Sequence, residues 1–342
     1  MMRIGLIGAG VIGRTHAQAI ASTEGFELTS VADPFSSGAE LATDFGATHH
    51  RDHRDLLAAG GLDAVIVATP NDLHVPVGLD VIAAGLPLLV EKPIATTSMQ
   101  ARVLVDAAAA ARVPVLVGHH RRYHPVVRRA KEIIDSGRLG RIVGVSATAF
   151  MRKPPDYFDI AWRRERGTGG PFLINLIHEI DLLRHLIGEV TSVSAFASSA
   201  ARSFEVEDTG AVIMSFDGGA LGSLAISDAV AAPWSWDLTA GDSSRFPMRD
   251  VESHRIGGES ASLTLPTLQL WEHDGAPSWT MPQHVIRQNV PRDDPYAAQL
   301  RHLGEVVTGD VQPLVSAAEG ARDLEVVEAV MRSATTGAVI AV

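Results

Sequence analysis

The residues best suited to chemistry begin at "GLIGAGVIG", where Gly8-x-Gly10-x-x-Gly13 follows an apolar run and opens a helical pattern. A glycine at position 8 permits a tight turn, one at 10 lets the backbone approach a pyrophosphate, and one at 13 lets the helix pack closely on the strand. The first N–H groups of that helix and its positive dipole end then face phosphate. Ala9, Val11 and Ile12 complete the turn. Asp33 ends the second apolar run, about 20 residues on, where an acid accepts hydrogen bonds from a ribose 2′-OH. Pro34 follows it, so Asp33 also suits a turn or a helix cap. The glycine spacing alone is weak, but its strand-to-helix context here is complete, and a dinucleotide is the expected ligand. A carboxylate repels a 2′-phosphate, and "DPFSSGAE" holds no Arg or Lys, which favours NAD over NADP. Ser36 and Ser37 remain as groups able to hold a phosphate.

Two further strand ends carry polar residues. "VATPNDLH" puts Ala68, Thr69, Pro70, Asn71 and His74 after an apolar run, as candidates for the cofactor's adenosine-to-nicotinamide side. Asn71 or Asp72 also suits a helix cap. "LLVEKPIATT" sets Glu91, Lys92 and Pro93 directly after Leu88-Leu89-Val90. A lysine beside a nicotinamide hydrogen-bonds a substrate hydroxyl and stabilises a developing alkoxide. Glu91 would then hold the lysine or a ribose. The same residues suit a surface ion pair at a strand end, and spacing alone does not choose.

The elements that must position these residues alternate. Apolar strands are expected at 3–8, 26–33, 62–70, 86–93 and 113–118, with helical stretches at 11–22, 35–45, 73–85 and 97–111. That alternation indicates a parallel sheet covered on both faces. After about residue 119 the rhythm changes. Helices are expected at 124–136, 171–188 and 316–334, and strands at 140–150, 190–200, 209–217, 220–228, 235–241 and 260–271. The fold class is α/β, with an N-terminal doubly wound Rossmann domain (residues 1–120). A C-terminal α+β domain with an open, largely antiparallel sheet follows (residues 121–342).

Composition narrows the function. Of 342 residues, 46% are hydrophobic and 20% charged, enough for large cores. The net charge of −11 gives no footprint for nucleic acid or anionic membrane. The apolar N-terminus is interrupted by Gly-Ala-Gly, and no stretch reaches the ~18 apolar residues of a membrane helix. A cytoplasmic protein is expected. Without cysteine there is neither a thiolate nucleophile nor a Cys-based zinc site. Among 14 histidines, His120 and His124 are four apart and His49, His50 and His53 cluster, but no third ligand accompanies them. No metal is expected.

In order, "GAGVIG", "VAD", "ATPNDLH", "VEKP", "GRIVGV" and "GG…HEIDLLRHLIG" resemble the family of glucose–fructose oxidoreductase, inositol 2-dehydrogenase and rhizopine-catabolism proteins. "PYAAQLRHLGEVVTGD…PLVSAAEGARDLEVVEAVMRSA" resembles that family's ending. The resemblance implies an NAD(P)-dependent dehydrogenase of a secondary hydroxyl in a sugar, cyclitol or polyol. It implies that Lys92 polarises that hydroxyl and that His178 is the general base. Many members carry Asp one turn before the histidine; here that position is Ile174, with Asn175 beside it. Asn175 shares a helix face with His178 and is able to position a hydroxyl or the imidazole, not to act as a base. Asp181, one turn beyond, would orient His178 or would be a solvent-facing charge. "AWRRERGTGG" resembles the family's Trp-Arg segment, so Trp162 and Arg163 are expected at the pocket; by position His120, Arg122 and Tyr123 join them. The resemblance implies that the open sheet pairs face to face between subunits, in a homodimer or homotetramer. Two rivals keep NAD: transient oxidation that eliminates or hydrolyses a glycosidic bond, and a non-catalytic NAD-binding regulator.

Overall fold

The computed structural model describes every residue except Ser244. The chain forms two compact units: Met1–Tyr123 with Asp293–Leu324, and His124–Arg292 with Glu325–Val342.

In the first unit lie strands β1 (Met2–Ile7), β2 (Phe26–Ala32), β3 (Thr48–His50), β4 (Ala64–Val67), β5 (Leu88–Val90) and β6 (Val115–Val117). They form a parallel sheet in the order β3-β2-β1-β4-β5-β6. The order reverses beside β1, which opens a crevice at the carboxyl ends of β1 and β4. Helices Val11–Ser22, Ser36–Phe45, His74–Ala83 and Ser98–Ala111 connect the strands, as their apolar spacing predicts. Thr97 caps the last of these through its hydroxyl to the Gln100 N–H.

The segment Asp293–Leu324, which the sequence reading placed with the second part, belongs to this first unit. Its helix Pro295–Thr308 brings Leu300, Leu303 and Val306 into one cluster with Ile4, Leu6, Ala17, Ile20 and Leu116. Each such side chain removed from water contributes about 1.5–3 kcal/mol. The Val117 N–H also donates to Val315, which ties β6 to the returning chain.

In the second unit are β7 (Ile142–Phe150), β8 (Val190–Ser198), β9 (Thr209–Phe216), β10 (Leu221–Ser227), β11 (His254–Gly258), β12 (Ala261–Leu265), β13 (Gln269–His273), β14 (Gln283–Arg287) and β15 (Ile340–Ala341). The sheet runs β14-β13-β12-β11-β7-β10-β9-β8-β15, and its pairs are antiparallel except β7 with β10. Val145, Val212, Met214, Leu224 and Ile226 face the core. Phe196, Ile213 and Leu221 stand on the opposite, exposed face.

Three expected elements differ. The strand expected at 235–241 is a short helix, Trp236–Thr239, because the buried Trp236 donates its indole N–H to Asp242 and Thr239 bonds back to the Ser235 carbonyl. The strand expected over 260–271 is split into β12 and β13 by Pro266, which has no N–H for a ladder, and by Leu268 in a left-handed conformation. The helix over 171–188 begins with a π-helical turn, Phe172–Leu176, before the α-helix Ile177–Ile187. The short strands β3, β11, β14 and β15 and the helices His53–Ala59 and Pro295–Thr308 were not among the expected elements.

Candidate functional site

The crevice of the first unit is built on backbone. Gly8 has φ +101°, and a Cβ there would lie 2.5 Å from the Ala68 carbonyl oxygen. A Cβ at Gly13 would lie 2.0 Å from the Gly8 carbonyl oxygen, so only glycine lets the helix sit this close. Gly10 faces open space within 4 Å, and Val11 and Ile12 are exposed at the start of the helix. No side chain caps that helix, whose N-cap is Gly10. Its first N–H groups thus meet an anion without a competing protein group. The Asp33 carboxylate accepts from the Ala9 N–H at 2.8 Å and the Phe35 N–H at 2.9 Å. It therefore acts as a turn residue and also braces the glycine-rich turn against the end of β2. These features fit a dinucleotide: a glycine cradle that any side chain would fill, beside a half-buried acid.

At the end of β4, Ala68, Thr69 and Asn71 are partly exposed and Pro70 exposed. His74 is buried, with ring nitrogens 2.7 Å from the Pro93 carbonyl and 2.9 Å from that of Thr69. A carbonyl only accepts, and burial pushes His74 below its ordinary value, so the neutral ring donates to one carbonyl at a time. It braces the loops after β4 and β5.

Glu91 is buried and pairs with His16 at 2.8 Å. Burial would raise its pKa, but the His16 hydrogen bond and charge, with Lys92 and His120, outweigh this and hold it at about 2. Gly118 makes room for it: a Cβ there would lie 2.8 Å from the carboxyl carbon. The strand end holds a carboxylate because His16, one turn along the helix from Gly13, rises to meet it. Lys92 is half-buried beside this pair, followed by a cis bond to Pro93. His120 stacks on Tyr296 at 4.5 Å, and Tyr296 meets His16 edge-on at 5.5 Å. Arg122 is buried and bonded to Glu319 and to the Leu314 carbonyl, while Tyr123 packs against His302. His119 sits 3.4 Å from Asp323, and its burial pushes it down to about 4 against the pull of that carboxylate.

The second unit builds its polar cluster from side chains. His178 is buried on the helix Ile177–Ile187. The π-helical turn before it is fixed at Phe172, whose N–H donates to Glu207 at 2.8 Å. The Phe172 ring lies over Gly210, where a Cβ would come within 2.2 Å of it. Burial pushes Glu207 up against that hydrogen bond. Asn175 accepts from Lys153 Nζ at 2.7 Å. Lys153 is itself buried, 3.7 Å from Asp228 and 4.7 Å from the centre of the Tyr157 ring. Arg202 donates to Asp228 at 2.8 Å and to the Lys153 carbonyl at 2.9 Å. Arg163 lies over Tyr157 at 4.0 Å and donates to its carbonyl; Trp162 is partly exposed beside it. Asp181 is fully buried, which excludes a solvent-facing charge. Glu179, on the same helix, pairs with His254 at 2.8 Å.

Sequence reasoning missed His16, Tyr296, His119 and Asp323 in the first unit and Lys153, Tyr157, Arg202 and Asp228 in the second. His16 had a signal, since it follows Gly13 by three on the face that also buries Ala17 and Ile20. Lys153, in "MRKPPD", reads as a solvated loop residue.

A nucleotide-type sheet with this turn defines a dinucleotide-binding protein, and comparison with known proteins narrows the class. The family model described as an oxidoreductase family with an NAD-binding Rossmann fold matches residues 2–119. The model of the GFO/IDH/MocA C-terminal domain matches residues 127–246. Together they span more than half of the sequence, and the chain belongs to the Gfo/Idh/MocA oxidoreductase family. The rhizopine catabolism protein MocA of Rhizobium meliloti is 33% identical over 205 residues, 58% of this chain and 63% of that protein. Inositol 2-dehydrogenase of Rhizobium meliloti (strain 1021) is 32% identical over 200 residues, 58% of each chain. The chain thus spans 63% and 58% of the length of these two curated relatives. The WlbA dehydrogenase of Bordetella pertussis, crystallised with NADH and UDP-GlcNAcA, matches with a TM-score of 0.81 at 27% identity, covering 100% of this chain and 98% of that one. Among the described residues no helix is long and apolar enough to cross a membrane.

Proposed function

We propose that the protein is an NAD-dependent dehydrogenase of a secondary hydroxyl in a sugar, cyclitol or polyol. The observation that carries this is the glycine cradle at Gly8–Gly13 in the same crevice as a half-buried lysine at a strand end. The names of the relatives support the substrate class: one is an inositol 2-dehydrogenase, and one was crystallised with a sugar nucleotide. Bound NAD supplies a hydride acceptor. The chain's own groups do the rest. Lys92 donates a hydrogen bond to the substrate oxygen and stabilises the alkoxide as it forms. His178 takes the hydroxyl proton while the carbon gives up its hydride and a ketone results. Glu91, held as a carboxylate by His16, keeps negative charge next to Lys92.

Asp33 favours NAD over NADP in this scheme. The exposed sheet face around Phe196, Ile213 and Leu221 is the surface on which a second copy pairs; Ile213→Asp should then lower the mass measured by light scattering. A panel of cyclitols, aldoses and polyols with NAD and with NADP, followed by reduced nicotinamide, tests the function. Accumulating NADH supports it. Product formed without net NADH would replace it with a transient oxidation, and no turnover with intact NADH binding would leave a regulator.

A further inference from the structure

Asn175 stands beside Ile174, the position near His178 where the sequence departs from the pattern it resembles, and the structure gives Asn175 a partner that the sequence did not. Lys153 Nζ donates to Asn175 Oδ1 at 2.7 Å. An ammonium has three donors and no acceptor, so the amide oxygen must face it and the Nδ2 hydrogens must point the other way. Lys153 is in turn held along its length. Its backbone N–H donates to the Asp228 carbonyl at 2.9 Å, and its own carbonyl accepts from Arg202 at 2.9 Å. Its ammonium lies 3.7 Å from Asp228, whose other oxygen accepts from Arg202 at 2.8 Å. A buried ammonium is costly to desolvate, and it stays only where such partners repay the cost. Asn175 itself is half-exposed, and among the described residues no group accepts from its Nδ2.

We propose that Lys153 is a positioning residue that locks the Asn175 amide so that it offers N–H, not C=O, to a substrate oxygen. The inference rests on the polyol reading of this site and adds a specificity to it: the oxygen recognised by Asn175 is an acceptor, such as a carbonyl or the lone pair of a neighbouring hydroxyl. Asparagine at this position does not stand in for a base. With aspartate in its place Lys153 would gain a stronger buried pair, but the donor to substrate would be lost.

The test uses the full chain with and without NADH. Protein labelled with 15N-asparagine shows side-chain amide signals from Asn71, Asn175 and Asn289. The Asn175 pair is identified by its loss in Asn175→Asp. Lys153→Met should shift that pair, with Lys153→Gln as the second variant if the first does not fold; an unmoved pair overturns the inference. With a polyol that turns over, Lys153→Met and Asn175→Asp should each raise KM about tenfold, the worth of one hydrogen bond, with NADH affinity unchanged. Asn175→Asp should do so without lowering the melting temperature, which a merely structural role would not produce. The double variant Lys153→Met/Asn175→Ala should be no worse than Asn175→Ala alone. Additive effects, or an unchanged KM in Lys153→Met, overturn the inference. If the wild-type protein turns over no polyol, the polyol reading fails by itself, and the amide signal still decides whether Lys153 holds Asn175.

Discussion

The two units make polar sites in opposite ways. The first uses main chain: a turn of glycines, a helix start with no cap, and the carboxyl ends of parallel strands. The second uses side chains drawn from distant stretches, Lys153, Asn175, Arg202 and Asp228, each bonded to another. The glycine cradle fails when a side chain is added. A side-chain site fails when a partner is removed and a buried charge is left unsatisfied.

The sharpest way to break the comparison is at the two groups proposed to react, where both units should be equally intolerant. Lys92→Met and His178→Asn should each lower kcat/KM by about 10²–10⁴, the usual worth of a positioned proton donor or acceptor, with NADH binding retained. Steady-state kinetics beside NADH fluorescence titration checks both. Next comes the cradle. Gly10→Val should weaken NADH by roughly 100-fold, because its side chain occupies the path of the pyrophosphate, while the fold survives in the open space around it. Comparable NADH affinity in that variant would remove the main-chain site from consideration.

Stability separates the units further. Arg202→Met should cost about 3–5 kcal/mol in denaturant unfolding, because it leaves the buried Asp228 with Lys153 alone, at 3.7 Å. Gly118→Ala should cost about 1–3 kcal/mol, since its Cβ would lie 2.8 Å from the Glu91 carboxyl carbon. The smallest effect is a slope with pH. Glu91 is lowered from 4.5 to about 2, so its contribution is fully present above 4.5 and is lost as pH falls toward about 2. His119 is lowered from 6.5 to about 4, so the unfolded chain takes up its proton first and stability declines as pH falls from 6.5 to about 4. Glu91→Gln should flatten the lower part of the curve and His119→Asn the upper part, measured by melting temperature across that range.

The same contrast explains what was legible in the sequence. The tight turn at Gly8 and Gly13 could be read because these glycines lie close together in the sequence, directly after a strand. The parallel sheet could be read because buried strands such as "AVIV" are apolar throughout. Glu91 was visible as an anomaly at a strand end, but its partner was not, since His16 lies on a different helix. Lys153 and Asp228 could not be paired, because 75 residues and several strands separate them and nothing periodic links them. The strand expected at 235–241 failed for a related reason: its residues alternate plausibly, but the Trp236 indole finds Asp242 only through a helical turn.

The returning segment Asp293–Leu324 has a consequence for biosynthesis. When a ribosome has delivered residues 1–123, the segments of the first sheet have been made, but Leu300, Leu303 and Val306 are not yet translated. The nascent Rossmann half must hold an open apolar seam while the whole central stretch is translated. Its completion, and with it the delivery of Tyr296 to His16 and His120, waits until Asp293–Leu324 has been made.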